Sequence, residues 1–340
     1  MGRTARRIAP QLITLAALVF LVTLFFPNFI SITYDGTRFV GPMVDVLKRS
    51  APVALLAVGM TLVIATRGID LSVGTVMAIA GAAGAWAITS DFGLAASLGI
   101  ALAAGLAAGL WNGCLVALVG IQPIVATLIL MTSGRGIAQL ITEGRILTFS
   151  DPDLAFIGSG TLFGIPFPTV LWILTAVVFA LAMRRTALGM LIEATGINRA
   201  ASALAGVNAT VILIAVYMAS GFCAALAGIV VTADIRGADA NNAGLWLELD
   251  AILAVVIGGN SLLGGRFSIA GSVIGALIIQ TINTGIVLSG FPSEYNLVIK
   301  AGLVLVILIL QSPNLSADWI YLKSLLRSRR ADRASRQEVS

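Results

Sequence analysis

The fold class predicted from the sequence is an all-α integral membrane protein of about ten transmembrane helices, with glycine-broken helices in two related halves. Three observations carry this expectation. Of the 340 residues, 58% are hydrophobic and only 11% charged, where a soluble domain carries about 25% charged residues. The apolar residues gather in runs close to the roughly 20 that a helix needs to cross a hydrocarbon core about 30 Å thick. The 36 glycines recur at helical intervals, as in Gly105, Gly109 and Gly113, or Gly271 and Gly275, a spacing that lets helix backbones approach closely in lipid.

MGRTARR leads into an apolar run that is too long for a cleaved leader and is followed by no small-x-small cleavage site, so the first span is expected at 11–30. The others are expected at 50–66, 72–90, 94–118, 121–142, 167–183, 208–232, 250–263, 268–289 and 295–311. The fifth carries Arg135, and the eighth is short. Ten crossings put both termini on one side. Fourteen of the 21 Lys and Arg residues then share that side, namely Arg3, Arg6, Arg7, Arg67, Arg184, Arg185, Arg199, Arg266 and the six from Lys323 to Arg336. The positive-inside rule makes it the cytoplasm. The chain is therefore expected to hold a membrane domain over 1–312 and a basic cytoplasmic tail over 313–340 that lies on anionic lipid.

With no histidine anywhere, imidazole bases and histidine metal ligands are excluded, and no metal site is expected. Cys114 and Cys223 are isolated in apolar runs and read as small packing residues. The net charge of +5 gathers at the ends and in one internal loop, which is a topological signal and not a nucleic-acid footprint.

The stretch ATRGIDLSVGTVMAIAG, 65–81, interrupts apolar sequence with Arg67 and Asp70. Its form G-x-x-L-x-x-G, through Gly68, Leu71 and Gly74, returns 191 residues later through Gly259, Leu262 and Gly265. Such glycine-broken connections are tolerated at membrane depth only against protein or a watery cavity. Asp70 suits first a cap on the helix that follows, with a functional carboxylate as the alternative. Arg67 can pair with Asp70 or reach the cytoplasmic interface. Asn112, Gln139, Asn242, Glu248 and Asp250 sit in or beside spans, each suiting either interhelical glue or a solute path.

The longest cytoplasmic loop, 184–209, carries a short helix signal, with Asn198 as N-cap, helix formers from 199 to 205, and Gly206 as the stop. Ile197, Ala201 and Leu204 share one face of it. This segment resembles the cytoplasmic coupling segment of ribose-type sugar ABC importer permeases, with Glu193, Ala194, Gly196, Asn198, Ala200, Ala201, Ala205 and Gly206 in that family's places. Gly68 to Gly74 resembles its G-I-D-L-S-V-G signature, and LELDAILAVVIGGNSLLGGR, 247–266, its second. The likeness runs from about residue 40 to 311 and, through 233–259, is strongest to the family's galactofuranose branch. Arg67 departs from it, since related sequences often carry a small residue there.

What the resemblance implies is a transport subunit, not an enzyme, in a bacterial inner membrane. Its cargo would be a monosaccharide of galactofuranose, ribose or galactose type. Its partners would be a cytoplasmic ATPase that holds ATP and Mg, a periplasmic sugar-binding protein, and a second permease copy or paralogue. Coupling would fall on Glu193, Ala194, Gly196, Asn198, Arg199, Ala201 and Gly206. The chain has no phosphate-binding loop of its own, so it is expected not to hydrolyse ATP alone, and no cofactor is expected on it. A neutral sugar calls for amides and aromatic faces, and Asn112, Asn241, Asn242 and Trp246 are of that type. The rival expectation is an ion-coupled secondary transporter using Asp70, Glu248 or Asp250.

Overall fold

The computed structural model describes residues 2–290 and 295–311, so the expected tail at 313–340 lies outside the described residues. The chain opens with α1 (Gly2–Phe25) and a hairpin of β1 (Thr33–Tyr34) and β2 (Phe39–Val40). There follow α2 (Pro42–Arg49), α3 (Ala51–Ala65), α4 (Val73–Thr89), α5 (Leu94–Ala117), α6 (Pro123–Ile141), α7 (Pro152–Ser159) and α8 (Phe167–Arg185). The loop expected at 184–209 holds α9 (Leu188–Ile197) and α10 (Arg199–Leu204). Beyond it come α11 (Ala209–Ile235), α12 (Leu247–Ile257), α13 (Ile269–Leu288) and α14 (Asn296–Gln311). Contacts divide the chain after Gly290, leaving α14 in a second unit of its own.

Six described helices are long and apolar enough to cross a membrane: α1 (over Ile8–Phe25), α5, α6, α8, α11 and α13. A seventh arises if α2 and α3, bent by 41° at Ser50, form one span. The expected spans at 72–90, 250–263 and 295–311 coincide with the shorter helices α4, α12 and α14. Helix α12 has 11 residues, which at 1.5 Å each rise about 16 Å, half of a hydrocarbon core. Arg135 does not break α6, because its guanidinium reaches carbonyls on a neighbouring loop.

The first unit is built around α11, which packs against α5, α3 and α4, while α12 packs against α13 and α3. Helix α3 is buried along nearly its whole length, so its apolar residues carry no lipid-facing stripe. The small-residue spacing read in the sequence sits at these seams. A Cβ on Gly109 would strike the Tyr217 carbonyl, and one on Gly113 would lie 2.9 Å from the Ile214 Cα. Similarly, a Cβ on Gly221 would collide with the Gly105 carbonyl, and one on Gly275 with the Ala254 carbonyl. Backbones meet directly where a side chain would separate them. Across α3 and α13, the Thr61 and Ser272 hydroxyls share a buried 2.6 Å hydrogen bond. Both cysteines are free.

Candidate functional site

The interruption at 65–72 is a helix C-cap followed by a buried polar cluster. Gly68 N–H donates to Val63 O at 3.0 Å and Arg67 N–H to Ile64 O at 2.9 Å, the paired bonds of a Schellman ending on α3. Arg67 fills the left-handed position with φ 63°, which costs a non-glycine residue about 1 kcal/mol. Helix α12 ends in the same way: Asn260 N–H donates to Val255 O at 3.2 Å and Gly259 N–H to Val256 O at 2.9 Å, with Gly259 at φ 81°. The two turns are thus equivalent with Arg67 on Gly259, one position away from the match of Gly68 to Gly259 seen in the sequence.

Below the first turn, Asp70 is 2% exposed. Its Oδ1 accepts from Ser72 N–H at 3.0 Å and from the Ser72 hydroxyl at 2.6 Å, and its Oδ2 from Ser220 of α11 at 2.8 Å. Asp70 therefore serves the N-cap residue of α4 and a neighbouring helix, while the first helical turn of α4 receives no side-chain cap. Asn112, fully buried, donates from Nδ2 to the Ser72 hydroxyl at 2.8 Å. The Thr127 hydroxyl accepts from Leu71 N–H at 3.2 Å, tying α6 to the same turn. In the second turn the organising residue is Asn260, which accepts from Ser268 N–H at 2.6 Å and donates to the Ser272 hydroxyl at 2.9 Å.

The two turns meet each other and the 188–204 segment. Gly265 N–H donates to Ala65 O at 2.8 Å. Gly196 is wedged between Ala65 and Gly265, since a Cβ there would collide with the Ala65 carbonyl. Arg67 does not pair with Asp70. It donates from Nε to Leu263 O at 2.9 Å and from Nη2 to Ile197 O at 2.7 Å.

In α10, Asn198 Oδ1 accepts from Ala201 N–H at 3.0 Å. At the other end Gly206 adopts φ 84°, with Val207 N–H bonded to Ser202 O and Gly206 N–H to Ala203 O, both at 3.0 Å. Both ends are therefore fixed locally, as expected for Asn198 and Gly206. Leu204 is 91% exposed and Ile197 57%, and Arg199, Ala200, Ala201 and Ala205 are exposed beside them. Glu193 and Ala194 are half-buried and Ser202 is buried. A cavity of about 270 Å³ lies behind this segment, bounded by Arg67, Arg199, Thr195, Tyr217 and Pro123.

The third assembly is the loop between α11 and α12. The Asp239 carboxylate accepts from Asn242 Nδ2 at 2.8 Å and from the N–H groups of Asn241 and Asn242 at 3.0 and 3.1 Å. The Asn242 side chain, chiefly, and these backbone donors hold the Asp239 carboxyl below its ordinary range. Arg135 Nη1 clamps the loop through Ala240 O at 3.0 Å and Ala243 O at 2.7 Å, and Gln139 donates to Asn241 Oδ1 at 2.7 Å. Gly74 and Gly244 touch backbone to backbone, joining this loop to the start of α4. Trp246, 53% exposed, sits at φ 66° just before α12, and an open groove of about 630 Å³ runs along α6 past Ser133, Gly136, Gln139 and Glu143. Asn241, Asn242 and Trp246 thus share one loop, whereas Asn112 belongs to the buried cluster around Ser72. Arg67, Arg135 and Asn260 escaped sequence reasoning as organising residues; only the oddity of a charge in apolar context marked the two arginines.

Polytopic helices of this length and apolarity, broken at paired turns that abut a capped surface segment, mark an integral membrane protein. A family model described as "Branched-chain amino acid transport system / permease component" matches residues 43–308, and the chain belongs to that family. It is 60% identical to the galactofuranose transporter permease of Escherichia coli K12 over 89% of each chain. It is 41% identical to the fructose import permease of Bifidobacterium longum, over 91% of this chain and 89% of that one. To the ribose import permease of Escherichia coli K12 it is 38% identical, over 89% of this chain and 92% of that one. No solved structure matches.

Proposed function

We propose that this chain is the membrane-spanning permease subunit of a bacterial inner-membrane ABC importer for a monosaccharide of the galactofuranose, ribose or galactose type. The observation that carries the reading is the capped α10, whose exposed Ala201 and Leu204 form, with Ile197 at the end of α9, an apolar contact surface seated on both glycine turns. A cytoplasmic ATPase holding ATP and Mg docks there. ATP-driven closure of that partner displaces α9 and α10, and the turns pass the movement to α3, α4, α12 and α13. A periplasmic binding protein delivers the sugar, so the permease itself holds it loosely. Asn241, bonded to Gln139 of the groove along α6, and its loop neighbours Asn242 and Trp246 border the sugar path, and a second copy or paralogue supplies the opposite wall. With the bent α2–α3 pair counted as one span and the short helices α4, α12 and α14 added to the six long ones, the chain makes ten passes and both termini are cytoplasmic, in contact with lipid.

None of the relatives named above carries a name that describes an ion-coupled carrier, and the Asp70 carboxylate, a candidate ion site, is committed to Ser72 and Ser220. The test is docking. Leu204→Asp should leave the melting profile of the purified permease unchanged, because that side chain is 91% exposed. It should also abolish co-purification with the ATPase and ATP-driven uptake. If uptake by the unaltered complex collapses with an uncoupler while ATP is maintained, an ion gradient is the energy source and the reading fails.

A further inference from the structure

We infer that Arg67 is a positioning residue that makes the two glycine turns and the α9–α10 elbow move as one body, so that displacement at the elbow reaches both halves of the permease together. This rests on the coupling role proposed above for α9 and α10. The guanidinium joins three segments distant in sequence. Its backbone belongs to the first turn, Nε holds the Leu263 carbonyl of the second turn at 2.9 Å, and Nη2 holds the Ile197 carbonyl at 2.7 Å. Ile197 is the last residue of α9, and Asn198 after it is the cap of α10. The carbonyls at a helix C-terminus lack intrahelical donors and carry partial negative charge, so a cation is favoured there. A planar guanidinium can hold two carbonyls in fixed relative positions, which an ammonium at the end of a flexible stem does not.

Three further features show that the junction holding this side chain is closely packed. Gly265 N–H bonds to Ala65 O at 2.8 Å, and a Cβ on Gly264 would approach the Arg67 Cγ to 2.5 Å. Gly196 fits against Ala65 and Gly265 only because it lacks a side chain. The equivalent cap residue in the second copy, Gly259, adopts its left-handed conformation without the strain that a side chain brings. Arg67 accepts that strain at φ 63°, and its side chain gains a reach that glycine lacks.

The test separates the tie from the backbone geometry. Arg67→Gly keeps the left-handed cap and removes the tie, Arg67→Ala removes the tie and keeps the strain, and Arg67→Lys offers a single point contact. In proteoliposomes containing the ATPase and binding protein, Gly and Ala should both lower sugar moved per ATP hydrolysed by about tenfold. The hydrolysis rate itself should hold, and Lys should fall between these and the unaltered protein. In parallel, hydrogen exchange at the Gly265 amide of the detergent-purified chain should rise in Gly and Ala. Equal transport per ATP in Arg67→Gly and the unaltered protein would overturn the inference, as would an unchanged Gly265 exchange rate. A complex of unaltered chains that shows no ATP-driven uptake would instead overturn the proposed function.

Discussion

The Asp70 carboxylate and the Ser220 hydroxyl, 150 positions apart in sequence, lie 2.8 Å apart inside the helix bundle. With the two bonds from Ser72, this leaves both carboxylate oxygens engaged by neutral donors. Asp70→Ala strands the buried Ser72 and Ser220 groups and should destabilise the permease by about 3 kcal/mol, read as a lower melting temperature in detergent. Asp70→Asn can keep its oxygen toward Ser72 and turn its amide toward the Ser220 oxygen, so it should stay close to the unaltered protein in melting and uptake. An Asn variant as damaged as the Ala variant would mean that the negative charge itself matters.

Gly74 and Gly244 bring the start of α4 against the loop that carries Asn241, Asn242 and Trp246. A Cβ on Gly74 would collide with the Gly244 carbonyl and lie 2.5 Å from Glu248 Oε2. Neither backbone can retreat while Arg135 holds the loop through Ala240 and Ala243. Gly74→Ala should therefore cost about 2 kcal/mol or more in stability and abolish uptake. Gly99→Ala, at a helical site on α5 with nothing within 4 Å, should leave melting and uptake unaffected and serves as the control.

Asp35 closes the hairpin between β1 and β2, accepting from the N–H groups of Arg38 and Thr37 at 3.0 and 3.1 Å and from the Thr37 hydroxyl at 2.9 Å. The Arg38 N–H first, then the two Thr37 donors, lower its pKa from 3.8 to about 2. Because the folded value is the depressed one, the contribution to hairpin order is complete above about pH 4 and is lost as pH falls through 2. The Asp35 carboxyl-carbon resonance should titrate with a midpoint near 2. A midpoint at 3.8 would show that these bonds do not persist in solution.

Legibility in the sequence followed the range of the interactions. Hydropathy placed the six long spans, and α10 could be read at both ends because Asn198 and Gly206 act within four residues of themselves. The glycine spacings marked the helix seams, although not which helices would meet. The partners of Arg67 were hidden because Leu263 and Ile197 lie 196 and 130 residues away. The register of the repeat was misread by one because it is set by the C-caps of α3 and α12, where Arg67 stands in for a glycine. Helix α9 was missed since LGMLIEATGI is apolar nearly all round and shows no amphipathic stripe.

The contact between α5 and α11 has a bearing on how permeases of this kind diversify. Where Gly105 meets Gly221 and Gly109 meets Tyr217, main chain abuts main chain, and no side chain there is available for mutation to resize. Diversification at this seam is thereby limited, since any larger residue there would press on the opposing main chain and part the two helices.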